Sequence, residues 1–518
     1  MIRVGLARTE PGYAGLGPPW GPGKAVPELA RLLGDAAAAG PPNSVYAGVR
    51  AALRALGLDQ ARFGGPEWNP LGALVARGGR VVLKPNFIRH WNPAPDGGPE
   101  SLITHGAVIR AVADYAWLAV GPEGSVGIAE APQHDCDFER VKDLAGTGEV
   151  ARFYETTLGV DFPVLDLRRE RVVYRGGVIV ERFALPGDPL GYRVVDLGAR
   201  SFFAGSGLDP ARFRGADYDP GPTAAHHDDG RNEYLLSETV LRADLVVNLP
   251  KLKTHKKTGV TLALKNLVGI NGDKNWLPHH SVGSVAEGGD EYPGDALVDS
   301  ARSRAADLAR RALARGRAGT LLRFVRRAER ALRGDAFVRA GNWYGNDTTW
   351  RMVLDLNRCL YYSDAAGLRL DAKRPVRTVL SVLDGIVAGE GEGPLAPRNR
   401  PLGVVLAATD PVALDLVAIR LMGFDERRIA KVREAMRDPG PRLTAVERPE
   451  DVRVVEGSAR DPALAERPLA ALAAKKPFRA HPGWRGHVER EERSSGPREE
   501  RSSGPREERS SGVQDERA

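Results

Sequence analysis

The feature that most constrains this chain is a short apolar run that stops on a proline. Leu245-Val246-Val247 is rich in β-branched residues, and Pro250 follows almost at once. A run that short reads as a strand, and one that is apolar on both faces reads as buried on both, the condition of a strand inside a parallel sheet. The proline closes it, because it has no amide hydrogen to give to a ladder. Lys251, Lys253, His255, Lys256 and Lys257 come next. Gly259 opens a second apolar segment that ends on Lys265-Asn266 and Gly269, and a loop then carries Asn271-Gly272-Asp273 and His279-His280. Cations, imidazoles and glycines directly after a buried strand fall at the sheet edge where open α/β folds place their ligands.

The same pattern recurs along the chain. Residues 80–86 (Arg-Val-Val-Leu-Lys-Pro-Asn) and 125–132 (Ser-Val-Gly-Ile-Ala-Glu-Ala-Pro) are core strands, and residues 106–116 between them form an amphipathic helix with Thr104 as candidate N-cap. Strand, helix, strand is a βαβ unit with a right-handed crossover. Residues 377–385 and 402–410 are two further strands, expected to end on Asp384 and Asp410, with a flexible acidic loop at 389–394 between them and a helix at 411–422 after them. Residues 171–182 alternate apolar and polar around Gly176-Gly177, a β-hairpin pattern. The reading is an α/β fold: a mostly parallel sheet flanked by helices, with a small β-hairpin subdomain, an Arg-rich helical insertion and a disordered C-terminal tail.

On this reading, residues 1–77 are a Pro/Gly-rich arm with a helix at 46–57, and 78–295 are the α/β core holding the Lys/His motif. Residues 296–345 are the Arg-rich insertion, 346–460 return to the core, and 461–518 are the tail. In the insertion, Arg302, Arg304, Arg310, Arg311 and further arginines share helical spacing with Leu and Phe. That pattern is either a solvated basic face or a surface for peripheral membrane or protein contact through residues 300–334. In the tail, the polar octamer at 491–498 repeats at 499–506 and cannot bury a core.

Composition narrows the functional classes. With 42% hydrophobic and 27% charged residues the chain is of soluble, globular type, and its net charge of +7 permits acidic small molecules, phosphates or an anionic membrane surface as partners without requiring any. Nucleic acid is not expected, since the cations are not interleaved with aromatics in a recognisable module. Two distant cysteines, Cys136 and Cys359, make an iron–sulfur cluster unlikely and suit a reducing, cytoplasmic location. No Walker A, Rossmann or nucleophile-elbow motif stands where one would be needed.

If the sheet is parallel, Lys84, Asn86, Glu130, Lys251, Lys253, Asp384 and Asp410 project from one edge. Lysines there can clamp a carboxylate or phosphate, so Lys251, Lys253, Asn86, Asn266 and His105 are candidate substrate- or anion-binding residues. His255, Lys265 and Lys84 are the candidate catalytic residues, His255 as acid/base. Seven of the ten histidines lie in or near these loops, which brings a divalent transition metal into view, with His279, His280 and Glu130 as candidate ligands.

Lys84-Pro85-Asn86, Thr104-His105, residues 248–255 (Asn-Leu-Pro-Lys-Leu-Lys-Thr-His), residues 264–269 (Leu-Lys-Asn-Leu-Val-Gly), Asp384-Gly385 and residues 409–415 (Thr-Asp-Pro-Val-Ala-Leu-Asp) resemble the signature of the domain-of-unknown-function family 362, over residues 78–425. The resemblance implies an α/β fold and no settled activity. Many members carry a ferredoxin-like segment, whose cysteines this chain lacks. A more distant resemblance is to the lactate-racemase family, which uses a nickel-pincer nucleotide. It implies a racemase or epimerase in which Lys265 anchors the cofactor, His279 or His280 binds nickel and His255 moves the proton. Ala263-Leu264 stand where that family has paired glycines. The competing classes are an oxidoreductase, isomerase or transferase of anionic small molecules, and a non-catalytic binding or assembly protein that docks through the Arg-rich helix.

Overall fold

A computed structural model describes residues 1–175, 178–217, 219–228, 230–294, 303–304, 340–458 and 463–490. Nearly all of the Arg-rich segment, Gly176-Gly177 and the repeat tail lie outside the described residues.

The centre is one eleven-stranded mixed sheet. In chain order its strands are β1 (Ile2–Arg8), β2 (Arg80–Pro85), β3 (Ser125–Glu130), β4 (Val164–Asp166), β5 (Leu245–Leu249), β6 (Lys251–His255), β7 (Gly259–Val260), β8 (Thr378–Glu392), β9 (Ala396–Ala408), β10 (Val452–Gly457) and β11 (Ala465–Pro468). They lie in the order β11-β10-β1-β9-β8-β5-β2-β3-β4, with β6 joining β8 and β7 off this path. From β8 to β4 every pairing is parallel. β5 is buried along its whole length, as its uninterrupted apolar run requires. Helices pack on both faces, the helix Gly106–Val120 in one apolar cluster and the helices Thr348–Tyr362 and Pro411–Met422 in the other.

Four local expectations are corrected. Thr104 does not cap the helix Gly106–Val120: His105 does, its Nδ1 accepting the Ala107 amide at 3.1 Å. Thr104 instead ties two strand ends, donating to Leu249 O at 2.7 Å and accepting the Asn86 amide at 2.9 Å. Residues 389–392 are the end of the fifteen-residue β8, paired register for register with β9, and Glu390 is buried. Two of the glycines that suggest a loop, Gly389 and Gly393, are there for close approach, a Cβ on Gly393 sitting 2.1 Å from Thr254 O, and Gly391 has a left-handed φ of 80°.

Asp384 lies within β8, and Asp410 leaves from the opposite sheet edge because β9 runs antiparallel. Asp410 caps the next helix, accepting the Val412 and Ala413 amides. Finally, order continues past residue 460: β11 pairs with β10, and Leu469, Leu472, Phe478 and Trp484 are buried. Their apolar side chains occur singly among prolines and lysines, so no periodicity announces them.

Candidate functional site

The parallel strands deliver their carboxyl ends to a cavity of about 390 Å³. β2 brings Asn86, β3 brings Glu130, and β5 runs through Pro250 into β6, which ends on His255. The short helix Leu262–Asn266 brings Lys265 and Asn266, and the following turns bring Gly269, Lys274, His279 and His280. His134, Thr261, Lys256, Lys257, Arg214 and Asp217 are also on the lining, with Gln133, Tyr174 and Asn342. Of the residues singled out from sequence, His255, Lys265, Asn86, Asn266, His279, His280 and Glu130 share this wall.

Lys84, Lys251, Lys253 and His105 lie off the lining. Lys84 is fully buried, its Nζ 2.6 Å from Glu130 Oε2 and donating to Pro85 O at 2.8 Å, so its charge is spent on Glu130. Lys251 pairs with Asp384 at 2.8 Å, and the Tyr13 hydroxyl donates to Asp384 at 2.6 Å. His105 stacks on the Tyr13 ring at 3.7 Å, so this buried cluster fastens the N-terminal segment to the sheet. Lys253 donates to Leu102 O.

Charge on the lining is unbalanced. Lys256, Lys257, Lys265, Lys274 and Arg214 face two acids, Glu130 and Asp217, and each acid is already paired, with Lys84 and with Arg182. Among the described residues, the Lys265 and Lys256 ammonium groups have no ion pair or hydrogen bond. Burial, with Lys431 and Lys84 nearby, pushes the Lys265 amine down to about 7, and Glu130 only partly opposes this. Burial, with the nearby Lys84, lowers Lys274 to about 7 as well, against the pull of Glu130. Glu130 itself is pushed up by burial.

The two facing imidazoles have opposite tautomers. His255 Nδ1 accepts the amides of Lys257 and Thr258 at 3.1 and 3.2 Å, so neutral His255 carries its hydrogen on Nε2 and is a donor there. His279 Nδ1 lies 2.8 Å from Leu277 O and must donate to it, which leaves a lone pair on Nε2. Burial and the surrounding lysines hold His255 well below the ordinary imidazole range and His279 down to about 3, so both stay neutral near pH 7.

Backbone strain sets the position of Lys265. Leu262, the first residue of its helix, has φ 55°, a left-handed conformation costly for a branched side chain. Asp415 holds the turn by accepting the Ala263 amide at 2.7 Å. Lys431, paired with Asp415 at 2.6 Å, donates to Thr261 O at 3.1 Å. Gly269 lies against the Lys84–Glu130 pair so closely that a Cβ would meet Glu130 Oε1 at 1.9 Å. Trp484, from the segment beyond residue 460, braces the lysine loop by donating to Lys256 O at 2.8 Å.

Sequence reasoning missed Lys274, Arg214, Thr261 and Asp217 as wall residues. Arg214 reaches the site because it pairs with His280 in a two-stranded ladder, for which the sequence carries no signal. Among the described residues no group of three His, Cys, Asp or Glu side chains is placed to hold a metal ion. Cys136 and Cys359 are buried in separate apolar clusters.

Residues 191–420 match the family model described as Domain of unknown function (DUF362). The chain is also 25% identical, over 218 residues, to the thylakoid-associated protein sll1697 of Synechocystis sp.. That alignment covers 42% of this chain and 42% of the relative's length. No solved structure matches the chain.

Proposed function

We propose that this chain, whose residues 191–420 match the DUF362 family model, is an enzyme performing acid–base chemistry on an anionic small molecule in the cavity at the strand ends. The observation that carries this reading is Lys265: an amine on the cavity wall, without a partner among the described residues, held at about 7 by burial and by other cations. An amine with that value is both base and conjugate acid near neutral pH, whereas a surface lysine is always charged. Lys256, Lys257, Lys274 and Arg214 supply the field that holds the anion. The His255 Nε2–H donates to an oxygen on which charge develops as Lys265 takes the proton. His255 is not the base at that atom, because its lone pair is already engaged by backbone amides.

The test is solvent exchange. The protein is incubated in deuterated buffer with a panel of small carboxylates and phosphate esters, and loss of C–H signals is followed by proton NMR, with thermal shifts reporting binding. Exchange that disappears in Lys265→Met supports the reading. Binding without exchange would make the protein a carrier or scaffold, and a panel in which nothing binds would remove the anion site altogether.

A second reading, a racemase or epimerase with a metal-bearing cofactor, is favoured by one observation: Lys265, His255, His279 and His280 share one cavity wall. The residues fit such a group, with Lys265 for attachment and the His279 Nε2 lone pair as ligand. Ala263 and Leu264 are core residues outside the lining. The cofactor would supply the bond-breaking chemistry at carbon. Elemental and intact-mass analysis of the protein from its native host, with Lys265→Ala and His279→Ala as controls, decides whether a metal or adduct is present.

A further inference from the structure

The acid–base reading leaves one group on the cavity wall without a task, the lone pair on His279 Nε2. Lys265 Nζ, His255 Nε2 and His279 Nε2 have no hydrogen-bond partner among the described residues, yet none of the three is closed off from solvent. His255 is buried, Lys265 and His279 are only partly exposed, and all three line the cavity, so the cavity is where these atoms are open. They are also neighbours: after burial, the Lys265 charge is the largest influence lowering both rings. Backbone groups settle what each ring offers there, a hydrogen from His255 and a lone pair from His279.

A neutral amine beside one donor and one acceptor is the set that imine formation uses. Lys265 has no ion pair among the described residues, and burial near Lys431 and Lys84 holds it at about 7, so the nucleophilic form is abundant at neutral pH. We infer that Lys265 forms an imine with a carbonyl compound that also bears a carboxylate or phosphate. Lys256, Lys257, Lys274 and Arg214 hold the anionic group. The amine lone pair adds to the carbonyl carbon, forming the C–N bond, while the C=O π pair moves to the oxygen, to which the His255 Nε2–H donates a hydrogen bond. His279 Nε2 takes a proton from the nitrogen and returns it to that oxygen. The charge that most lowers His279 is absent at this stage, since the attacking amine is neutral. The C–O bond then breaks, the second nitrogen proton follows the same route, and a C=N bond and one water result. The two amine hydrogens and the carbonyl oxygen make up that water, so no further reactant is needed. The inference rests on the anionic reading proposed above and adds a second activity of the same amine, a base toward C–H and a nucleophile toward C=O.

The test is reductive trapping on the full chain. Pyruvate, glyceraldehyde 3-phosphate and, as an uncharged control, acetone are each incubated with the protein and sodium cyanoborohydride, which reduces an imine to a stable secondary amine. Intact mass counts the adducts, peptide mapping places them, and thermal shifts report binding, with inorganic phosphate as a charge-only probe. A single adduct at Lys265 is expected with pyruvate or with glyceraldehyde 3-phosphate, which separates a carboxylate from a phosphate requirement. The adduct is absent in Lys265→Met. The His279→Asn amide can keep the donor to Leu277 O but lacks the Nε2 lone pair, so it should trap about tenfold slower or worse at saturation, with the half-saturating concentration unchanged. Adducts spread over other lysines, alike in wild type and Lys265→Met, would overturn the inference. Binding of the anionic probes without an adduct would also overturn it and leave the acid–base reading standing. Equal trapping of acetone would overturn the requirement for an anionic group. A half-saturating concentration that rises in His279→Asn at an unchanged saturated rate would overturn proton transfer by His279. No adduct and no binding by any probe would overturn the anion reading itself.

Discussion

Replacing Lys265 by methionine should stabilise the protein, and do so in a pH-dependent way. The Lys265 amine is on the cavity wall, has no partner among the described residues and is held at about 7, against an ordinary value of 10.5. Between those values the unfolded chain carries the proton and the folded chain does not, so stability rises with pH across that window. Below about pH 7 both states are protonated, and the full penalty of charging a buried amine is borne by the fold. The difference corresponds to about 5 kcal/mol at most, and relaxation around the site reduces it to roughly 2–5 kcal/mol. Methionine keeps the length and removes the charge. Chemical denaturation at pH 6, 8 and 10 should show Lys265→Met more stable than wild type by that amount at pH 6, by less at pH 8, and by under about 1 kcal/mol at pH 10. The same variant should lose exchange activity, the expected trade where a functional group is held in an unfavourable environment. A variant less stable than wild type at pH 6, or a gain that does not change with pH, would refute the placement of an unpaired amine in this cavity.

The exchange activity proposed for the cavity should rise about tenfold per pH unit below pH 7 and level off above it, as Lys265 loses its proton; a rate independent of pH between 5 and 8 would point to another base. Gly269→Ala should cost about 1–3 kcal/mol and weaken ligand binding, since its Cβ would strike Glu130 Oε1 and Lys84 Nζ, a buried pair with no room to yield; thermal melts and titration calorimetry check both effects. Lys431→Met should destabilise by about 3–5 kcal/mol by leaving Asp415 buried without its partner, and Lys431→Met with Asp415→Asn should recover part of that loss, a cycle readable by urea denaturation.

Much of the frame was legible in the residues. The runs at 80–85, 125–130 and 245–249 are apolar without alternation, so each had to be a strand covered on both faces. The polar residues just beyond them therefore had to meet at one sheet edge, and Asn86, Glu130, His255 and Lys265 do line one cavity. Asp410 was misplaced for the opposite reason: the direction of β9 depends on how it pairs with β8, and an apolar run reads the same in either direction. Glycines at 389–393 signal permissive backbone equally well in a loop and in a strand pressed against Thr254.

What the sequence by itself determined about this protein is the parallel strands, the edge at which their polar ends meet and the supply of lysines and histidines near it. What only the tertiary structure decided is which of those groups are spent and which are available. Lys84, Lys251 and Lys253 look like Lys265 in sequence, yet the first two are tied to carboxylates and the third to a carbonyl, while Lys265 faces the cavity without a partner among the described residues. His255 and His279 are alike as residue types, and the backbone groups around each ring make one a donor and the other an acceptor. The physical reason is that partner and burial set the state of a titratable group, and both arise from segments such as residues 411–437 and 463–490 that come together with the site only when the chain folds.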